Sequence, residues 1–446
     1  MFIARSAAKI RGVRLAFLAI CLLPCGLLVA WAVERRSGRH RAAIVAAVER
    51  AVGTSVTVAA VEHLRPGVVR LRGCTIATGD GRAVLELPAI EIEESTSELR
   101  LRVERLVCDV SAARWLARLG WEWLKQDARF PRTCIVDVAD LAWHVVTPAE
   151  AGEPPTGHAE RRPLRVECVV RSQARAIRCA RPTVGGRAGD DLVRIVRSAA
   201  ASEGAIPATQ WEVDVAWLEP LPLAVAAAAL GTGDLAVGTQ ATVAGTLHAT
   251  SRAGPWEGTA TARVAGVDLA ACGATVGIRA AGLATVDIRR VKWANDRLRD
   301  CDIECVAGPG RVEQRWLESV VAALGCRAGP AFQSLQAEPD RSFDHAGFLL
   351  SLNELGCSIA SPARLAGPLV IAAGLSVLDP PVAAVPADRL AWLLAAPQAV
   401  QAPSTGPGAW LMSRLPAAGG RPDASRGSER QPAAIQAEQP GRRGGI

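Results

Sequence analysis

The chain has 446 residues, half of them apolar, and a formal net charge of +7. Arg5, Lys9, Arg11 and Arg14 supply +4 and the stretch Glu34 to Arg41 supplies +3, so residues 42–446 are neutral overall. A neutral body lacks the basic stripe that displaces counterions from nucleic acid, so no nucleic-acid partner is expected.

The two basic clusters flank an uncharged run, LAFLAICLLPCGLLVAWAV, from Leu15 to Val33. At helical rise it spans about 28 Å, close to the hydrocarbon thickness of a bilayer. It predicts one transmembrane helix over 15–33, with Leu15, Phe17, Leu18, Leu22, Leu23, Leu27 and Leu28 in lipid and Trp31 at the interface. Pro24 is tolerated in such a helix. Ala30-Trp31-Ala32 fits a small-x-small cleavage site, so a cleaved signal peptide is the competing reading. The length of the run and the arginines directly after it favour an anchor. Basic residues balance across the span, so charge does not orient it. The short basic segment 1–14 ahead of it has the form of a signal-anchor, which puts 1–14 in the cytoplasm and the body outside.

Next, RHRAAIVAAVERAVG places Ile44, Val45, Val48 and Val52 on one helical face, with Gly53 as a stop. SVTVAAV, GVVRLRGCTIA, AVLELPAIEIEE and ELRLRVERLVCDV alternate with period two, and TGDGR reads as a turn. Such alternation predicts half-buried strands of a sheet with one wet side. Ser111 opens an amphipathic helix carrying Trp115, Leu116, Leu119 and Trp123. CIVDVADLAWHVV reads as a strand pair or one bent strand, and residues 147–162 as a polar excursion. PLRVECVVRSQARAIRCA returns to strand, Asp190 to Ser202 fits a capped helix, and strand patterns dominate from Trp211. Val312, Trp316, Val320 and Leu324 define a further helix ended by Gly325. Residues 83–120 and 282–325 share an order of hairpin, then helix, then Leu-Gly. The division expected is a module over 34–146, a linker over 147–163, a second β-rich module over 164–399 and a disordered tail over 400–446.

The motif DCDIEC, Asp300 to Cys305, crowds metal-ligand types into six residues. On a strand the crowding dissolves: Cys301 and Cys305 share one face, and Asp300, Asp302 and Glu304 take the other, toward Arg289, Arg290 or Lys292. GTGDLA, Gly231 to Ala236, matches a dinucleotide fingerprint as a string, but a strand pattern follows where a helix N-terminus is needed. His40, His63, His144, His158, His248 and His345 show no metal-binding spacing, and Asp344-His345 reads as a surface or turn pair. No catalytic, cofactor or metal residue is assigned. Twelve cysteines without a CxxC read as core residues, of which a few would pair in an oxidising compartment. Trp115, Trp121 and Trp123 have two readings, core packing on the sheet or contact with lipid or a partner.

Taken together, the anchor, the helix ending in AVGTSVTV, LRPGVVRLRGCTIATGDGRAVLELPAIEI and the later WEGTATARVAGVDL, WANDRLRDCDIECVAGPGRV and SFDHAGFLLSLNELGCSIASP resemble the AsmA-like and TamB-like bacterial envelope proteins. The likeness is one of pattern over 15–396; this chain is shorter and richer in cysteine than the family. The resemblance implies an inner-membrane protein with a periplasmic body, an elongated twisted sheet and an apolar concave face that shelters phospholipid acyl chains. The fold expected is mainly β with a few packed helices, an elongated twisted antiparallel sheet behind one membrane helix; the strand alternation fits a groove and a sandwich closed on a dry core equally. Lipid handling or envelope maintenance without catalysis leads the functional readings. A structural module binding envelope proteins comes second, and an anchored hydrolase built on His345, His248 or His144 comes third.

Overall fold

The computed structural model describes residues 7–77, 83–125, 133–143, 162–171, 174–182, 188–200, 208–231, 237–252, 254–333, 339–365, 367–393 and 406–416. The protein is mainly β, with a long twisted mixed sheet and one apolar N-terminal helix. The helix is continuous through α1 (Ala7–Phe17), a π-helical turn (Leu18–Leu22) and α2 (Leu23–Arg36). The wider turn lies just before Pro24, which has no N–H and crowds the carbonyl four residues back. Its stretch Arg11–Arg36 is long and apolar enough to cross a membrane. Ser37 then becomes extended and caps α3 (Gly38–Val52) by accepting a hydrogen bond from the His40 amide at 3.2 Å. Gly53, with φ at 77°, closes α3 where the sequence placed the stop.

The body continues with β1 (Ser55–Arg65), β2 (Val68–Ala77), β3 (Ala83–Glu94), β4 (Glu98–Val103), β5 (Leu106–Cys108), α4 (Val110–Lys125), β6 (Thr133–Val138) and β7 (Leu141–Trp143). Then come β8 (Leu164–Arg171), β9 (Ala174–Pro182), β10 (Ala188–Ala200), β11 (Ala208–Pro222), α5 (Leu223–Leu230), β12 (Thr242–Arg252), β13 (Trp256–Asp268) and α6 (Leu269–Val276). The last part holds β14 (Ala280–Ala281), β15 (Leu283–Ala294), β16 (Arg297–Ala307), β17 (Gly310–Glu313), α7 (Gln314–Leu324), β18 (Arg327–Ala328), β19 (Asp340–Phe343), β20 (His345–Asn353), β21 (Gly356–Ala360), β22 (Val370–Ala372), β23 (Leu375–Asp379), α8 (Arg389–Trp392) and α9 (Gly406–Arg414).

Among the described residues eighteen strands form one sheet. Pairing runs β1-β2-β3-β4-β6-β8-β9-β10-β11-β12-β13-β15-β16-β20, and β20 then carries β21 and β22, with β23 and β18 beyond β22. The expected antiparallel sheet is in fact mixed, because β4 and β6 run parallel. A parallel pair needs a crossover, and α4 provides it. The β15–β16 hairpin turns on Asn295 and Asp296, whose φ angles of 54° and 58° suit a two-residue turn between twisted strands.

Three expectations are corrected. The helix expected over Asp190–Ser202 is not formed: its described part, 190–200, lies in β10, paired on both sides by β9 and β11. Its Val193, Ile195 and Val196 are β-branched and fit a pleated surface better than a helix turn. Two helices lie where strands were expected, α5 before Gly231 and α6 behind its Asp268 cap, which accepts from the Ala270 amide at 2.8 Å. The stretch 147–163, read as a linker or excursion, lies largely outside the described residues, and β6 pairs with β8 on either side of it. The tail is ordered in part: α9 seats Leu411, Met412 and Leu415 on Cys301, Leu352 and Cys357. Expectations for 78–82, 144–161, 232–236 and 417–446, including His144, His158 and most of GTGDLA, lie outside the described residues.

The hairpin-then-helix unit is more frequent than the sequence echo suggested. It occurs as β3–β4 before α4, β10–β11 before α5, β12–β13 before α6 and β15–β16 before α7.

Candidate functional site

One face of the sheet, the inner one, carries the packed cores. Near the N-terminus α3, α4 and α5 cover β1–β3 and β6 around Leu71, Cys74, Ala112 and Val225. The end of α4 covers β8–β11, with Trp123, Leu124 and Ile177 at the centre and Trp121 packed on Trp211 at 5.1 Å. Two arginines of the sheet hold that end of α4. Arg175 donates to the Trp123 carbonyl at 2.8 Å, and Arg197 to the Leu124 carbonyl at 3.0 Å. Both satisfy C-terminal carbonyls and oppose the negative helix end. Toward the C-terminus α7 packs Leu317, Val320 and Leu324 over β15, β16, β22 and β23.

Between these covered regions the inner face is apolar but lightly packed. Register aligns Val215, Leu247 and Ala260 across β11, β12 and β13, and Trp217, Gly245, Ala262 and Ile288 beside them. Val215, Leu247, Ala260, Ala262 and Ile288 are half-buried and belong to none of the four packed clusters. Small residues keep the floor low. The strands approach so closely that a Cβ on Gly245 would collide with the Thr261 carbonyl, and one on Gly258 with the His248 carbonyl and the Trp293 ring.

The second feature is the joint between the apolar helix and the sheet. Arg35 lies over the Trp31 ring at 4.1 Å and reaches His63 Nδ1 at 3.3 Å, while His63 Nε2 meets His40 Nε2 at 3.0 Å. Arg only donates, so His63 Nδ1 must accept, and its Nε2 then carries the proton and donates to His40. His63 thus bonds α2 on one side of the Ser37 break and α3 on the other. Burial, then Arg35, then His40 hold its pKa below the usual histidine value.

The outer face is charged and ordered by register. Glu62, Arg70, Glu91, Arg102, Asp137 and Arg165 stand opposite one another across β1, β2, β3, β4, β6 and β8. A second row, Glu167, Arg178, Arg194, Asp214 and His248, crosses β8–β12. A cleft of roughly 900 Å³ opens over Arg70, Arg72, Arg100, Arg102 and Arg165, but their carboxylate neighbours pair with them. DCDIEC lies on β16 as expected: Cys301 is buried, Arg290 pairs with Asp300 and Asp302 at 3.1 and 2.9 Å, and Arg289 pairs with Glu304.

An acid–histidine pair absent from the sequence reading is Asp214 Oδ1 to His248 Nδ1 at 2.5 Å, made by cross-strand register between residues far apart in the chain. Thr259 is the next residue in that row. The pair lies exposed on the outer sheet face, open to water rather than enclosed as a substrate site requires. Asp344 does not hold His345; its carboxylate accepts from the Gly374 amide at 3.3 Å. Among the described residues no three His, Cys, Asp or Glu side chains are arranged for a metal ion.

Leu15, Phe17, Leu18, Leu22, Leu23, Leu27, Leu28 and Trp31 all lie exposed along the apolar helix. Trp115 and Trp121 are half-buried against the cores and Trp123 is 5% exposed, so Trp123 offers no surface to lipid or a partner. The apolar strip was missed because its residues sit on separate strands, and only their register makes them neighbours. No protein-family model matches the chain, and no curated protein or solved structure is significantly similar to it.

Proposed function

We propose that this chain is a non-catalytic, single-pass envelope protein. Its N-terminal helix sits in the cytoplasmic membrane, and its extracytoplasmic β-body handles lipid or maintains the envelope. The observation that carries the reading is the strip Val215, Leu247, Ala260, Ala262 and Ile288, apolar, half-buried and, among the described residues, outside the four packed clusters. A body tethered to a bilayer meets acyl chains at high local concentration. An uncharged strip with a floor of small residues suits a thin, flexible hydrocarbon chain. The resemblance of feature order to AsmA-like and TamB-like proteins supports the same reading.

The test places a photo-crosslinking amino acid at Leu247 or, on the outer face, at Thr259 of the full chain in cells. Lipid adducts at 247 and none at 259 are expected. Equal labelling, or none at 247, overturns the proposal. Stoichiometric protein adducts at 247 point instead to a structural module that binds an envelope protein.

A further inference from the structure

We infer that Cys134 and Cys168 form a cross-strand disulfide that fastens β6 to β8. Among the described residues, theirs is the one strand register that sets cysteine directly against cysteine. Directly opposed residues of antiparallel strands have Cα atoms about 4.5 or 5.5 Å apart. Disulfides require about 4.4–6.8 Å, so the Cα spacing of either kind of pair admits the bond, and both thiols stand free in this structure. Both side chains take the inner face, in phase with Val136, Val166 and Val138 beside the cores.

The other cysteines on paired strands face apolar residues. Cys74 opposes Val58 and Leu87, Cys179 opposes Val166 and Val193, and Cys305 opposes Val286 and Phe348. Cys301 and Cys357 both oppose Leu352, from the two sides of β20. Two strand spacings, about 9.5 Å, separate them, which is too far to bridge. Cys179 is the competitor for Cys168, on the neighbouring strand but diagonal, because Cys168 faces Ile177.

The bond closes the chain between β6 and β8, whose sequence includes the polar stretch 147–162. β6 and β8 are the seam between the N-terminal strands and the rest of the sheet. Formation is an exchange with a disulfide donor, either glutathione disulfide or an oxidised thiol–disulfide oxidoreductase. The Cys134 thiolate attacks one donor sulfur and expels the other as a thiolate; the Cys168 thiolate then displaces the remaining donor sulfur. The two protein thiols give up two protons and two electrons, and the donor is reduced to two thiols. Burial raises both thiols, Cys134 to about 11, so exchange is favoured while the strands assemble and slow once both are buried, Cys168 beside the end of α4.

The geometry stands without the proposed location, whereas occurrence in the cell rests on an extracytoplasmic body. The full chain is purified in detergent without reductant and, separately, after reduction and re-oxidation with glutathione disulfide. Free thiols are blocked and the peptides mapped by mass spectrometry. A Cys134–Cys168 linked peptide is expected in both, and it persists in Cys179→Ser. A Cys168–Cys179 link, a mixture without preference, or three blocked thiols after re-oxidation overturns the inference. A link that forms on re-oxidation but is reduced in the freshly extracted chain supports the pairing and counts against the extracytoplasmic placement.

Discussion

His63 Nε2 stands 3.0 Å from His40 Nε2, so one imidazole of β1 bonds the first turn of α3 while its other nitrogen holds Arg35 of α2. The Arg35 bond needs a neutral His63. Protonating His63 at Nδ1 puts its new N–H against the Arg35 donor. The folded pKa of His63 is lowered, so the unfolded chain binds more protons below about pH 6.5, and stability falls as pH drops through that value. Hydrogen exchange of the α3 amides should therefore quicken on going from about pH 7.5 to about pH 5.5, after correction for intrinsic rates. His63→Gln, which cannot titrate, should flatten the response; an unchanged pH profile in that variant would exclude the joint as its cause.

Arg175 is buried and closes the end of α4 from β9. Arg175→Ala strips the Trp123 carbonyl of its charged donor, and a loss of about 1.5–3 kcal/mol in denaturant unfolding is expected. Arg175→Lys keeps the charge but not the planar fork, so it should recover only part.

Gly258 lies under the Trp293 ring and against the backbone of β12. Gly258→Ala should lower the melting temperature and cost about 1–3 kcal/mol. Adding Trp293→Ala should not restore stability, because the collision with the His248 carbonyl is with backbone. Full rescue by the double variant would show that the ring alone needed the space.

Charge order on the outer face predicts register. Arg70→Glu puts three carboxylates in a row with Glu62 and Glu91, and about 1 kcal/mol of destabilisation is expected. Exchanging the pair as Arg70→Glu with Glu91→Arg restores the attraction between β2 and β3. It leaves the new carboxylate beside Glu62 and the new guanidinium beside Arg102, so it should recover only part of the loss. A double-mutant cycle of thermal midpoints separates these terms.

If Cys134 and Cys168 are joined, reductant should cost the chain about 3–4 kcal/mol by loop-closure entropy, and Cys134→Ser should remove that sensitivity. Unfolding with and without reductant, compared between the two chains, measures it.

Local patterns were legible wherever one neighbouring face decided the outcome. Ile44, Val45, Val48 and Val52 declared α3 at helical spacing, and all four pack on the first core. DCDIEC was legible as a strand because alternation alone splits its ligands between two faces. Asp190–Ser202 failed because Leu192, Ile195 and Val196 also sit at helical spacing; the open edges of β9 and β11 claimed their backbone groups. Leu411, Met412 and Leu415 failed in the opposite sense. A short apolar face in a polar tail cannot order itself, and it does so here only because β16, β20 and β21 offer it a surface.

By itself the sequence determined the uncharged helix between two basic clusters, the strand train with one wet face and the neutrality of the body. Each is a property of neighbours along the chain. Tertiary structure decided the single mixed sheet, the His40–His63 contact, the Asp214–His248 pair, the Cys134–Cys168 register and the strip around Leu247. Each joins residues whose distance is set by strand pairing, and pairing is chosen by the fit of whole faces.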